Sequence, residues 1–206
     1  MNPTVHIVDD DEAIRDSLGW LLQSRGIPCL EFSSAEAFLE MWSPQMAGCI
    51  LLDIRMDGTS GNALFDLLRE RGCTMPVIFL TGHGDVPLAV SALKHGAFDF
   101  VEKPCNDNQL VDRVVDALKL DESLRAAAAS VESINNRLNQ LSVRERQVME
   151  RVLAGKLNKV IADELHVSMR TVEVHRSSLF EKMGVKTAVE LAQILANNAG
   201  KPGAQG

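Results

Sequence analysis

The chain has 206 residues, 46% hydrophobic and 24% charged, with a formal net charge of -7. That length suits one large domain or two small ones, and no apolar run reaches the roughly 20 residues needed to span a bilayer. The four cysteines stand 20, 24 and 32 residues apart, which excludes the close pairs that build zinc or redox sites and leaves free thiols.

No basic segment followed by a long apolar stretch opens the chain, so a cytoplasmic protein is expected. Charge is unevenly placed. Residues 1–120 hold 18 acidic and 9 basic side chains, residues 121–140 hold 3 and 2, and residues 141–206 hold 7 and 10. The acidic part suits cation binding and the basic part suits a phosphate-rich partner.

Taken in order, Thr4 to Val8 is a β-branched run ending in Asp9, Asp10 and Asp11, a first strand that delivers acids to a sheet edge. Asp11 is the expected N-cap of a helix carrying Ile14, Leu18, Leu21 and Leu22 on one face. Pro28 to Phe32 reads as a second strand, with Ser33 or Ser34 capping a helix that holds Phe38, Leu39 and Trp42. The short apolar run from Gly48 to Met56, opened by a glycine and followed by the Gly58 to Gly61 turn, reads as a fully buried parallel strand. Asp53 sits at its carboxyl end, the edge where open parallel sheets place their ligands. A helix from about Gly61 to Arg71, a strand from Pro76 to Leu80 ending at Thr81, and a Gly82-His83-Gly84 turn follow. A helix near Pro87 to His95 and a strand from Phe98 to Glu102, which delivers Lys103, complete the alternation. Five strands alternating with helices predict an α/β fold with a doubly wound five-stranded parallel sheet.

From Asp107 the pattern is helical, and no Pro or Gly stands between Asn106 and Gly155. A long helix is therefore expected to join the sheet to the last third, with a dimer seam and an ordinary solvated helix both open for its later turns. The last third predicts an all-α domain of four short helices. Ser142 with Glu145 forms a capping box, and Val148, Val152 and Leu153 are expected to face inward. Asn158 to Leu165 is the second helix, Ser168 caps a third running to Met183, and Thr187 caps the last. The Gly-rich tail after Asn198 is expected to be disordered.

Three carboxylates together repel unless a cation neutralises them, and Mg2+ prefers oxygen ligands. With Asp9, Asp10 and Asp53 ionised, Mg2+ and Lys103 balance the local charge, an arrangement suited to phosphoryl transfer onto Asp53. Asp53 is then the nucleophile, Asp10 a direct metal ligand, Asp9 a ligand through water and the Arg55 carbonyl a further one. Lys103 pairs with phosphoryl oxygens and Thr81 donates its hydroxyl. His6 and His83 have no metal-ligand spacing and read as structural.

The second and third helices of the last third fit a helix-turn-helix, whose second helix enters the major groove. Arg170, Glu173, Val174, Ser177, Ser178 and Lys182 are expected to face outward on it, with Val172, Leu179 and Met183 inward. Lys156, Lys159, Arg176 and Lys182 are candidate phosphate contacts. Glu173, Val174 and Ser177 are candidates for reading bases. A helical protein-binding bundle accounts for the same helices but not for the basic balance.

The runs VHIVDDDE, LLDIRM, TGHGDV and FVEKP, in this order and spacing, resemble the receiver domain of two-component response regulators over roughly residues 1–120. The resemblance implies a flavodoxin-like fold, Asp53 as phosphoacceptor, Asp9 and Asp10 as the acidic pair, Thr81 and Phe100 as switch residues, and Lys103 as the phosphoryl-binding lysine. Where that family usually has Pro after the Met, this chain has Asp57. The run from Leu141 to Val185 resembles the LuxR-type DNA-binding domain, and the two together resemble the NarL/FixJ class. The implied division is a receiver over 1–120, a helical linker over 121–140 and a DNA-binding domain over 141–206. The implied partners are a sensor histidine kinase, double-stranded promoter DNA, RNA polymerase and a second copy of the chain, paired through the face near residues 85–118. The implied function is transcriptional regulation rather than catalysis. A phosphorylation-independent DNA-binding protein and a phosphatase using the Asp53 nucleophile are the open alternatives.

Overall fold

Apolar runs without alternation become central strands because helices cover them on both faces. The structure, a computed structural model, describes residues 3–82 and 86–199. Its elements are β1 (Thr4–Val8), α1 (Glu12–Ser24), β2 (Cys29–Phe32), α2 (Ala35–Met41), β3 (Gly48–Asp53), α3 (Gly61–Glu70), β4 (Val77–Thr81), α4 (Val86–Lys94) and β5 (Asp99–Glu102). Then come α5 (Asp107–Asn139), α6 (Val143–Leu153), α7 (Asn158–Leu165), α8 (Met169–Met183) and α9 (Ala188–Ala199). His83 and the tail beyond Ala199 lie outside the described residues. The chain divides into two compact units, Met1–Ala126 and Ala127–Gly206.

In the first unit all strand pairs are parallel, in the order β2-β1-β3-β4-β5. Every residue of β3 and of β4 is buried. Side chains alternate between two cores, as the period of two in a strand requires. Ile50, Leu52, Val77 and Phe79 meet Phe38, Leu64, Phe65 and Leu68 of α2 and α3. Cys49, Leu51, Ile78 and Leu80 meet Leu18, Leu22, Leu110 and Val114 of α1 and α5. The expected helix through Trp42 ends one residue earlier, with Trp42 as its C-cap.

Asp121, on α5, is buried and holds the opposite end of β3 from Asp53. Its Oδ2 accepts from the Gly48 N–H at 2.9 Å and from Arg125 Nε at 2.7 Å. Gly48 has φ +127°, and a Cβ there would stand 1.8 Å from the Thr4 carbonyl oxygen, so only glycine lets β3 start this close to β1. Asp121→Ala strands a buried N–H and removes the arginine's partner. It is expected to destabilise the first unit by about 2 kcal/mol. Both tryptophans, Trp20 and Trp42, lie in this unit. Chemical unfolding followed by tryptophan fluorescence checks the loss, and an unchanged transition would count against this anchor.

The second unit packs Val148, Val152, Ile161, Leu165, Val172, Leu179, Met183 and Leu191 into one core. The Ser142–Glu145 capping box is present. Leu153, expected to face inward, is 40% exposed. It lies one residue, about 100° of helix rotation, past the Val148–Val152 stripe.

Candidate functional site

In-register parallel pairing brings the chemically active residues to one edge. Val8 pairs with Leu52, Asp53 with Leu80 and Thr81 with Glu102, so Asp9, Asp53, Thr81 and Lys103 all emerge at the carboxyl ends of adjacent strands. The order reverses between β1 and β3, the switch point at which such sheets open a crevice. Gly61 allows the loop after β3 to fold back there. A Cβ on it would stand 2.0 Å from the Asp53 carbonyl oxygen.

Asp9 is buried. Its Oδ1 accepts from the Asp11 N–H at 3.0 Å and its Oδ2 from Lys103 Nζ at 2.7 Å. Its carbonyl accepts from Arg15 Nη1 at 2.8 Å. Lys103 Nζ also stands 3.3 Å from Asp53 Oδ1. Asp10 is exposed, and its Oδ2 accepts from the Asp57 N–H at 2.8 Å. One ligand atom from each of Asp9, Asp10 and Asp53 lies within 4.8 Å of the others. Burial raises the Asp53 carboxyl above its ordinary range, and the Lys103 charge draws it back. The Asp9 charge raises it again, while the Arg55 N–H opposes that rise. Thr81 Oγ1 is fully buried with no hydrogen-bond partner among the described residues. Phe100 is half-buried on β5 against the α2–α3 core. His6 is buried against the Phe32 and Phe38 rings, and burial lowers its pKa, which suits a structural residue.

In the second unit, α7 ends at His166, whose left-handed φ of 53° turns the chain, and Ser168 caps α8 through the Thr171 N–H at 3.1 Å. Arg170, Glu173, Val174 and Ser177 are exposed at helical spacing along one face of α8. Lys159 is exposed, Lys156 is ion-paired with Glu164, and Arg176 donates to Asn158 Oδ1 at 2.8 Å while lying over the Phe180 ring. Ser178 and Lys182, expected to face outward, turn inward instead. They donate to Glu145 at 2.7 Å and 2.8 Å, because the buried capping-box carboxylate requires donors.

Two family models match the chain, one over each unit. Residues 5–115 match the response regulator receiver domain model, and residues 139–195 match that of bacterial regulatory proteins of the LuxR family. The chain belongs to the response regulators of two-component systems. The C4-dicarboxylate transport transcriptional regulatory protein DctR of Rhodobacter capsulatus is 50% identical over 94% of this chain and 100% of its own. FixJ of Bradyrhizobium diazoefficiens is 42% identical over 95% of each. Among solved structures, the response regulator StyR is similar with a TM-score of 0.91 and 36% identity, over 95% of this chain and 99% of that one. These relatives make the receiver plus LuxR-type architecture a transcriptional one.

Sequence reading missed the Asp57 N–H on Asp10, the Arg15 guanidinium on the Asp9 carbonyl and the Glu145 hub. Only the first carried a local signal, an N–H where the receiver family usually has proline.

Proposed function

We propose that Asp53 accepts a phosphoryl group from a sensor histidine kinase, and that the phosphorylated protein dimerises, binds double-stranded promoter DNA and acts with RNA polymerase in the cytoplasm. The working division is a receiver over 1–120, a linker over 121–140 and a DNA-binding domain over 141–206. One observation carries the reading. A single sheet edge gathers three carboxylates within 4.8 Å, an ammonium ion-paired with two of them, and a buried hydroxyl without a partner among the described residues.

This all-oxygen donor set fits Mg2+, held by Asp9, Asp10, Asp53 and the Arg55 backbone carbonyl. When bound, the cation supplies positive charge that offsets the carboxylates and the incoming phosphoryl oxygens. The Asp53 carboxylate oxygen forms a bond to phosphorus as the phosphorus–nitrogen bond to the kinase imidazole breaks, and that bond's electron pair leaves with the imidazole. Lys103 stabilises charge on the equatorial oxygens. The Thr81 hydroxyl then donates to a phosphoryl oxygen, and Phe100 moves with it, biasing the 85–118 face toward pairing. An open groove of about 550 Å³ beside Lys103, lined in part by Ile14, Leu18, Leu21 and Pro104, offers the kinase an apolar seat.

The test treats the full chain with a small acyl phosphate and Mg2+, then measures mass, oligomeric state and promoter affinity. A phosphoryl adduct with a dimer and tighter binding supports the proposal. No adduct on the wild type sinks it.

On DNA, Arg170, Glu173, Val174 and Ser177 face bases, and Lys156, Lys159 and Arg176 face phosphates. Lys182 joins the phosphate contacts from its ion pair with Glu145, as Lys156 does from its pair with Glu164. Lys159→Ala is expected to weaken binding uniformly across sequences and to reduce the salt slope by about 0.9. Val174→Ser is expected to relax preference at one base pair, by about 1–3 kcal/mol if Val174 packs on a thymine methyl. Anisotropy titrations at several salt concentrations, against a set of single-base operator variants, separate the two effects.

A further inference from the structure

We propose that the backbone N–H of Asp57 sets the pose of Asp10 and thereby tightens the hold of the acidic edge on its cation. The inference rests on the divalent-cation reading above and concerns how one ligand is prepared for it.

The three carboxylates are prepared unequally. Asp9 is buried with both oxygens hydrogen-bonded, and Asp53 is held by Lys103 and the Arg55 N–H. Asp10 is exposed, and its Oδ2 is held across 47 residues of chain by the Asp57 N–H at 2.8 Å. The loop that presents this N–H is itself anchored on both sides. Met56 is buried in the α2–α3 core, Thr59 Oγ1 donates to Glu36 Oε1 at 2.5 Å, and the Gly61 N–H donates to the Ile54 carbonyl at 3.0 Å.

An exposed carboxylate that must be ordered on binding loses rotamer freedom, which weakens the complex. A donor fixed beforehand removes part of that cost. A carboxylate has about four lone-pair sites, so one N–H bond leaves the rest for a cation. The identity of residue 57 decides whether the clamp exists, because proline has no N–H to give. The exposed Asp57 side chain adds a separate effect, a further negative charge near the cation that salt screens.

Substitution separates the two. Asp57→Asn keeps the N–H and loses the charge, whereas Asp57→Pro loses both. In Mg2+ titrations of the full chain by NMR at about 0.15 M salt, Asp57→Pro is expected to bind about fivefold more weakly than Asp57→Asn. That is the net scale of one ordinary hydrogen bond. Equal affinities of the two variants overturn the inference and leave the cation reading standing. Absence of saturable Mg2+ binding in the wild type overturns the cation reading and the inference with it. A second measurement holds even if the proline variant fails to fold. The Asp57 amide proton is expected to shift upfield in Asp10→Ala and to stay hydrogen-bonded when Mg2+ is added to the wild type. An Asp57 amide unmoved by Asp10→Ala, or released by Mg2+, overturns the clamp.

Discussion

Asp53→Asn is expected to abolish the phosphoryl adduct and, with it, the gain in promoter affinity produced by a phosphodonor. Asn matches Asp in volume but replaces a nucleophilic carboxylate oxygen with an amide. The other two carboxylates are poor substitutes. Asp9 is buried with both oxygens bonded, and Asp10 sits on the exposed rim in the grip of Asp57. A coupling of the usual size between effector and ligand sites is worth about 5- to 150-fold in affinity. The wild type should show a gain in that range, and the variant none. An adduct retained in Asp53→Asn would move the acceptor role to another residue, and equal DNA affinity with and without donor in both proteins would favour phosphorylation-independent binding. Stability moves the other way. Burial and Asp9 raise the Asp53 carboxyl in the folded state. Ionised Asp53 therefore costs stability, increasingly as pH rises from its ordinary value through the raised one. Without divalent cation at neutral pH, Asp53→Asn should raise the unfolding midpoint followed by tryptophan fluorescence.

Glu145→Ala is expected to destabilise the DNA-binding domain by about 3 kcal/mol. The side chain is nearly fully buried. It accepts from the Ser142 N–H at 2.7 Å as half of the capping box, from Ser178 Oγ at 2.7 Å and from Lys182 Nζ at 2.8 Å. Removing it uncaps α6, leaves the Ser178 hydroxyl without its acceptor and leaves the Lys182 ammonium only the Gln140 carbonyl at 3.3 Å. Burial acts to raise the Glu145 carboxyl, but Lys182, Ser178 and Ser142 outweigh it and bring the pKa down to about 2. A depressed carboxylate stabilises the fold above its unfolded pKa and loses that contribution as pH falls through the folded one. The advantage of wild type over Glu145→Gln should thus be complete above about pH 5 and fade toward pH 2. With both tryptophans in the receiver unit, far-UV dichroism reports both units and fluorescence only the first. The variant should shift the dichroism transition and leave the fluorescence transition in place. A shift of both, or of neither, would count against an effect confined to this hub.

The amino-acid order alone determined most of the receiver edge. Hydrophobic runs, glycine and serine punctuation and the acids at strand ends are local signals. They located β1, β4 and β5 to within a residue or two and β3 by its first residue, and with them Asp9, Asp53, Thr81 and Lys103. The capping box at Ser142 and the inward stripe of Val172, Leu179 and Met183 were legible for the same reason, since helical spacing is written within a few residues. What only the tertiary structure decided is which polar groups meet across the fold. Asp57 meets Asp10 over 47 residues, Asp121 meets Gly48 over 73, and Ser178 and Lys182 meet Glu145 over 33 and 37. No local period encodes such pairs. The pairs on Asp121 and Glu145 follow from the demand that a buried carboxylate be surrounded by donors, a demand that only the packed chain can meet. That demand turned Ser178 and Lys182 toward Glu145.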